Sequence, residues 1–119
     1  MKKPLFSKKD IVYIAGPVRG IPKKNAPKFL AVEKFLVETY GCKVLNPVRI
    51  TDPHVARCHK GRKGKALQRE YARHDIDLVF KSTAIFMMSG WDPSVGATAE
   101  YYLSRWLMLK IVHEYQLVP

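Results

Sequence analysis

Several kinds of residue are scarce in this chain, and each scarcity excludes something. Two cysteines in 119 residues, Cys42 and Cys58, cannot build a disulfide framework, and neither stands in a CxxC or similar metal-ligand spacing. Long apolar runs are missing: Ile11–Ala15 (IVYIA) is five residues long, whereas a bilayer-spanning helix needs ~20. No membrane partner is therefore expected. The opening stretch MKKPLFSKKD is positive, but charges resume at Lys8 and the apolar run behind it, Ile11–Ala15, is too short for a leader's apolar segment, so no secretory leader is expected and the cytoplasm is the expected compartment. Neither GxGxxG nor GxxxxGK[ST] occurs, which argues against a dinucleotide fingerprint or P-loop chemistry. Acids are scarce as well, with 10 Asp+Glu against 21 Lys+Arg and a net charge of +11. That balance favours anionic partners such as nucleic acid, free nucleotides or acidic membrane surfaces, and charge alone does not choose among them.

What remains is ordinary for a globular protein. Hydrophobic residues make up 47% and charged residues 26%, and the length suits one domain over residues 1–119 with one core. IVYIA reads as a buried strand ended by GPVRGIP. Asn25 is placed to cap a helix over 26–40, in which Phe29, Leu30, Val32, Phe35, Leu36 and Tyr40 recur at helical spacing before Gly41 stops it. Residues 43–45 form a short strand stopped by Asn46-Pro47. From Val48 to Lys65 the composition changes: TDPHVARCHKGRKGK holds five Lys/Arg, two His, two Gly and one Pro, and is expected as a long loop, either a basic functional lid or a disordered segment. Helical character resumes near Ala66. STAIFMM at 82–88 is a central strand, Ser94 caps a helix to about Leu109, and 110–113 are a fourth strand. Strands that are apolar throughout and separated by helices predict an α/β fold, with a mainly parallel sheet covered on both faces.

In such a sheet ligands bind beyond the carboxyl ends of the strands. This rule selects GPVRG, NPVRITDPHVARCHK and GWDPSVGATAE. In the first segment, Gly16 and Gly20 allow close backbone approach and Arg19 suits an anion, although a Gly-Pro turn with one Arg is more often only a turn. Ser94 and Gly96 begin a helix whose N-terminus attracts anions, and a plain N-cap is the simpler reading. Glu100 stands near Gly96, Ala97 and Ala99, where small side chains leave room beside a carboxylate; taken alone, a solvated helix glutamate is the commoner case. Asp75 and Asp77 lie at the dipole-unfavourable end of their helix, with an exposed ion pair to Arg73 as the plain alternative. His54, Cys58 and His59 resemble metal ligands but lack a fourth residue at suitable spacing, so no metal and no cofactor is expected.

Taken in order, YIAGPVRG at 13–20, RHDIDL at 73–78 and STAIFMMSGWDPSVGATAEYYLSRW at 82–106 resemble the nucleoside 2-deoxyribosyltransferase-like superfamily, including its deoxynucleoside 5'-monophosphate N-glycosidases and small phage-type members. The resemblance implies a flavodoxin-like or Rossmann-like three-layer sandwich with about four to five strands, and cleavage of an N-glycosidic bond. It assigns Glu100 as nucleophile, Tyr13 beside it, and Asp75 as the second acid at the base, with Asp77 as the alternative. Gly16, Arg19, Gly20, Ser94 and Gly96 would hold the 5'-phosphate of a nucleotide substrate, depleted of one hydroxyl and one N–H because Pro17 replaces the serine of the N-glycosidase turn. The resemblance further implies a homodimer whose neighbouring subunit contributes near the C-terminus, about where Pro119 stands. Two other readings are kept open: a non-catalytic nucleotide or nucleic-acid binder on the same fold, and cleavage of another N-glycoside such as NAD.

Overall fold

The structure is a computed structural model and describes residues 3–117. Val118 and Pro119, where the resemblance would begin a contribution to a second subunit, lie outside the described residues. The order is β1 (Ile11–Ala15), α1 (Ala26–Tyr40), β2 (Lys43–Leu45), α2 (Pro47–Cys58), α3 (Gly64–Phe80), β3 (Ala84–Met87), α4 (Val95–Trp106) and β4 (Lys110–His113), with 3-10 turns at Pro22–Asn25 and Glu114–Leu117. The four strands make one parallel sheet in the order β2-β1-β3-β4. Helices cover both faces, which is the expected three-layer α/β arrangement.

Alternation along the strands divides the core in two. Val12, Ile14, Ala84, Phe86 and Val112 face α1, where Phe29 and Leu36 are buried. Tyr13, Ala15, Ile85 and Met87 face the other layer and meet Leu78 and Val79 of α3 and Ala97 of α4. Because both sheet faces are covered, the strands read as unbroken apolar runs. Each buried Phe or Leu contributes roughly 1.5–3 kcal/mol. Two apolar residues expected on the core side of α1, Leu30 and Phe35, instead stay 46% and 44% exposed, because the inward stripe is narrowed to Phe29, Val32 and Leu36.

The expected loop over 48–65 is largely a helix. The Asn46 side chain accepts the Val48 amide at 3.0 Å, and Pro47 takes the first helical position, where an N–H has no intrahelical partner anyway. Thr51 and Val55, one turn apart, are buried. Pro53 inside the helix and the polar, basic composition hide this signal in the sequence; packing of α2 on α3 overrides them. Only residues 59–63 remain as a turn. Asn25 differs too: it does precede α1, but its side chain caps nothing and donates to the Pro17 carbonyl at 3.0 Å. Lys23, Lys24 and Asn25 all carry positive φ, at 56°, 53° and 62°, a costly run for non-glycine residues.

The strand order reverses direction between β1 and β3, so the crevice beyond their carboxyl ends is the topological switch point. The two exit loops touch there. A Cβ on Gly16 would fall 2.9 Å from Met88, and one on Gly90 would fall 3.6 Å from Pro17.

Candidate active site

Helix α4 is fixed at its start by Ser94, whose Oγ accepts the Ala97 amide at 3.2 Å. Ala97, Glu100 and Ser104 are spaced three and four apart and so share the face toward the sheet. Ala97 and Ser104 are buried, and their small side chains let the helix lie close to β1 and β3. Glu100 therefore points inward, where Tyr13 of β1 donates its hydroxyl to Glu100 Oε2 at 2.5 Å. The solvated-glutamate reading is thereby excluded. Gly96 and Ala99, expected to line the space beside the carboxylate, are exposed, and nothing approaches a Cβ built on Gly96.

Two further acids face this pair. Asp75 comes from the last turns of α3, and one of its oxygens, Oδ1, is buried without a hydrogen-bond partner among the described residues. Asp52 comes from α2 and bears on both Asp75 and Tyr13 through its charge. Thr51 Oγ1 is buried as well and stands near enough to Asp75 to favour its charged form. It completes no hydrogen bond of normal geometry, however.

The electrostatics follow from crowding three carboxylates beneath the helices. Glu100 is half-buried as a residue, yet its carboxylate is enclosed; burial first, then the Asp75 charge, pushes its pKa up to about 8, against the opposing pull of the Tyr13 hydrogen bond. Burial likewise raises Asp75 to about 6, with Thr51 lowering it and Asp52 raising it further. Asp52 is raised by burial and partly relieved by Lys24. Tyr13 is held well above the ordinary tyrosine range, by burial and then by Glu100 and Asp75, so it remains a hydrogen-bond donor.

Asp77 is not part of this cluster. It is exposed and pairs with Lys81 at 2.9 Å, while Arg73, its expected partner, approaches Glu70 at 4.0 Å. Gly16 is accounted for by contact with Met88, and Gly20 by its φ of +78° in open space. Arg19 is exposed in the β1–α1 loop and makes no ion pair among the described residues. Ser94 is an N-cap, leaving the Val95 and Gly96 amides at the open helix start. Arg19 and Ser94 thus sit on the two loops that touch at the switch point.

Asp52, Thr51 and Lys24 escape sequence reasoning. Asp52 and Thr51 are hidden because α2 reads as a loop; once it is helical, Val48, Thr51, Asp52 and Val55 share a face. Lys24 is brought round by the left-handed turn, with its Nζ 3.4 Å from the Tyr71 hydroxyl and 5.2 Å from that ring's centre. A cavity of about 350 Å³ lies one strand over, lined by residues including Ser89, Trp91, Asp92, His113 and Tyr115. It contains none of Tyr13, Asp75 and Glu100, so the acid cluster and not this cavity defines the site.

Comparison with curated proteins returns no match. Residues 10–113, from the start of β1 to the end of β4, match the family described as a domain of unknown function, DUF4406, and the chain belongs to that family.

Proposed function

We propose that this protein cleaves the N-glycosidic bond of a (deoxy)nucleoside 5'-monophosphate, with Glu100 as nucleophile. The observation that carries the reading is the enclosed Tyr13–Glu100 pair, with Asp75 beside it, below the switch point of a parallel sheet. The resemblance to the nucleoside 2-deoxyribosyltransferase-like superfamily gives those three residues matching roles.

In the first step the Glu100 carboxylate attacks the anomeric carbon. The C–N bond breaks with its electron pair going to the base, and Asp75 donates a proton to the departing nitrogen. With values of about 8 and about 6, the two acids share close to one proton near neutrality. Positive charge growing at the anomeric carbon favours ionised Glu100 and so shifts that proton to Asp75. Tyr13 orients the nucleophile. In the second step water attacks the same carbon, gives its proton to Asp75 and releases Glu100; another base in place of water makes the reaction a transfer. Arg19, Gly20 and the α4 start would take the 5'-phosphate, joined by Lys24 at the rim.

A second copy of the chain is part of this reading. Val95, Tyr102 and Trp106, on the outward face of α4, are 86%, 58% and 84% exposed. With Ala99 they fall on one stripe, an apolar surface suited to a dimer. The free thiols Cys42 and Cys58 fit a reducing compartment, the cytoplasm.

Nucleoside monophosphates and free nucleosides, incubated with and without an acceptor base and scored by chromatography for released base, give the direct assay. Release from a monophosphate that disappears in Glu100→Gln supports the proposal. Unchanged release in that variant removes Glu100 as nucleophile. A second reading rests on Arg57, Lys60, Lys63 and Lys65, which are exposed and form no ion pair among the described residues. Salt-sensitive DNA binding with no base release would favour a non-catalytic binder.

A further inference from the structure

Three of the four histidines come together where α2 ends against α3. His54 lies on α2, His59 directly follows it and His74 lies on α3; all are half-buried, and one ligand-capable atom from each stands within 4.8 Å of the other two. His59 Nε2 and His74 Nε2 are 3.4 Å apart. Two imidazole nitrogens bound to one tetrahedral zinc at ~2.0–2.1 Å stand about 3.3–3.4 Å from each other. The His54 and His74 rings meet edge to face with centres 4.5 Å apart.

Glu70 supplies the fourth group. It is one turn before His74 on α3, only 7% exposed, and its Oε2 is 3.1 Å from His59 Nε2 and 3.9 Å from His74 Nε2. Its other oxygen accepts from Arg62 Nη1 at 3.2 Å, and Arg73 Nε stands 4.0 Å from Oε2. An ion cluster of Glu70 with the two arginines explains the carboxylate and one histidine. It leaves unexplained why two more imidazoles, His54 of α2 and His74 of α3, converge on the same point. The sequence spacing of His54, Cys58 and His59 lacks a fourth ligand because the missing groups, His74 and Glu70, come from across the turn.

We infer that His54, His59 and His74 form a binding site for a divalent transition ion of the zinc type, with Glu70 Oε2 placed to complete a tetrahedron. Imidazole donors with a single carboxylate select zinc-like ions over magnesium or calcium, which take oxygen ligands. The ion clamps the end of α2 and the basic turn 59–63 onto α3. It thereby holds the two helices that carry Asp52 and Asp75, without entering the acid cluster itself. Its role is structural and does not depend on the reaction proposed above.

The test uses the full chain, untagged and stripped of metal, titrated with Zn²⁺ by calorimetry and with Co²⁺ by visible absorption. One equivalent of Zn²⁺ should bind with a Kd of about 1 μM or tighter, and Co²⁺ should give the intense bands of tetrahedral ligation. His74→Ala and His54→Gln should each weaken Zn²⁺ binding by more than the roughly 10–100-fold that loss of an outer partner costs. Zn²⁺ should raise the melting temperature of the wild type and leave that of His74→Ala unmoved. Cys58→Ser, whose sulfur is 3.7 Å from His54 Nδ1, should bind as the wild type does. Absence of a saturable one-to-one site in the wild-type chain overturns the inference whatever the variants do. So does tight binding that survives in His74→Ala, or binding lost in Cys58→Ser.

Discussion

Asp10 and Glu100 are both carboxylates packed against β1, at opposite ends of the sheet, and their surroundings have opposite consequences. Asp10 immediately precedes the strand and receives the Ser7 amide at 2.8 Å, the Thr83 hydroxyl at 2.9 Å and Lys110 Nζ at 2.8 Å. Burial alone would raise its pKa, but these donors outweigh burial and lower it. Glu100 receives a hydrogen bond from Tyr13 and faces the charge of Asp75, on which Asp52 bears in turn. The amino end of the sheet is thus electrostatically settled and serves stability. The carboxyl end carries the penalty of enclosed carboxylates and, second to it, repulsion between them, and a cationic reaction centre would relieve both.

The contrast breaks most sharply at Glu100. If the proposed chemistry holds, Glu100→Gln lowers base release at least about a thousandfold, which is about 4 kcal/mol of barrier. The same change should stabilise the fold. Glu100 has a folded pKa of about 8 against an ordinary 4.5, so between those values the unfolded chain has lost a proton that the folded chain keeps. Stability therefore falls as pH rises through that window, and the full penalty is present above about pH 8. A melting temperature several degrees above wild type at about pH 9, shrinking to little difference at about pH 4, is expected. A lower melting temperature at high pH would contradict that penalty.

Asp10→Ala is the mirror experiment. It should cost about 2 kcal/mol in denaturant unfolding, because Lys110, Thr83 and the Ser7 amide lose a shared acceptor. The Asp10 pKa is lowered, so this contribution is present above the ordinary carboxylate range and lost as pH falls through the folded value. A cost that stayed constant into acid would show that packing, and not charge, supports this end.

The smallest effect sharpens the comparison from within the site. The Tyr13 hydrogen bond lowers the Glu100 pKa, so Tyr13→Phe should move the alkaline inflection of kcat/KM upward from about 8, with activity reduced but measurable. A downward move would mean that Tyr13 stabilises the protonated acid.

The sequence displays most of this fold because strands covered on both faces leave apolar runs that polar chemistry does not interrupt. β1, β2 and β4 and the whole of α1 stand where those runs and their stop signals put them. Glu100, Asp75 and Tyr13 were legible as a group only through their motifs; their mutual approach is tertiary. α2 was hidden by Pro53 and by the basic stretch, and Asp52 was hidden with it. The choice of Asp75 over Asp77 depends on which side of one helical turn faces the sheet, and neither spacing nor charge decides that.

The Tyr13–Glu100 hydrogen bond joins residues 87 positions apart, and β1 pairs directly with β3 although α1, β2, α2 and α3 lie between them along the chain. A contact so distant along the chain has to offset the entropy of closing the loop between its partners. A chain ending before α4 would keep Asp52 and Asp75 but lack Glu100, so gathering the full acid cluster depends on closing that long loop.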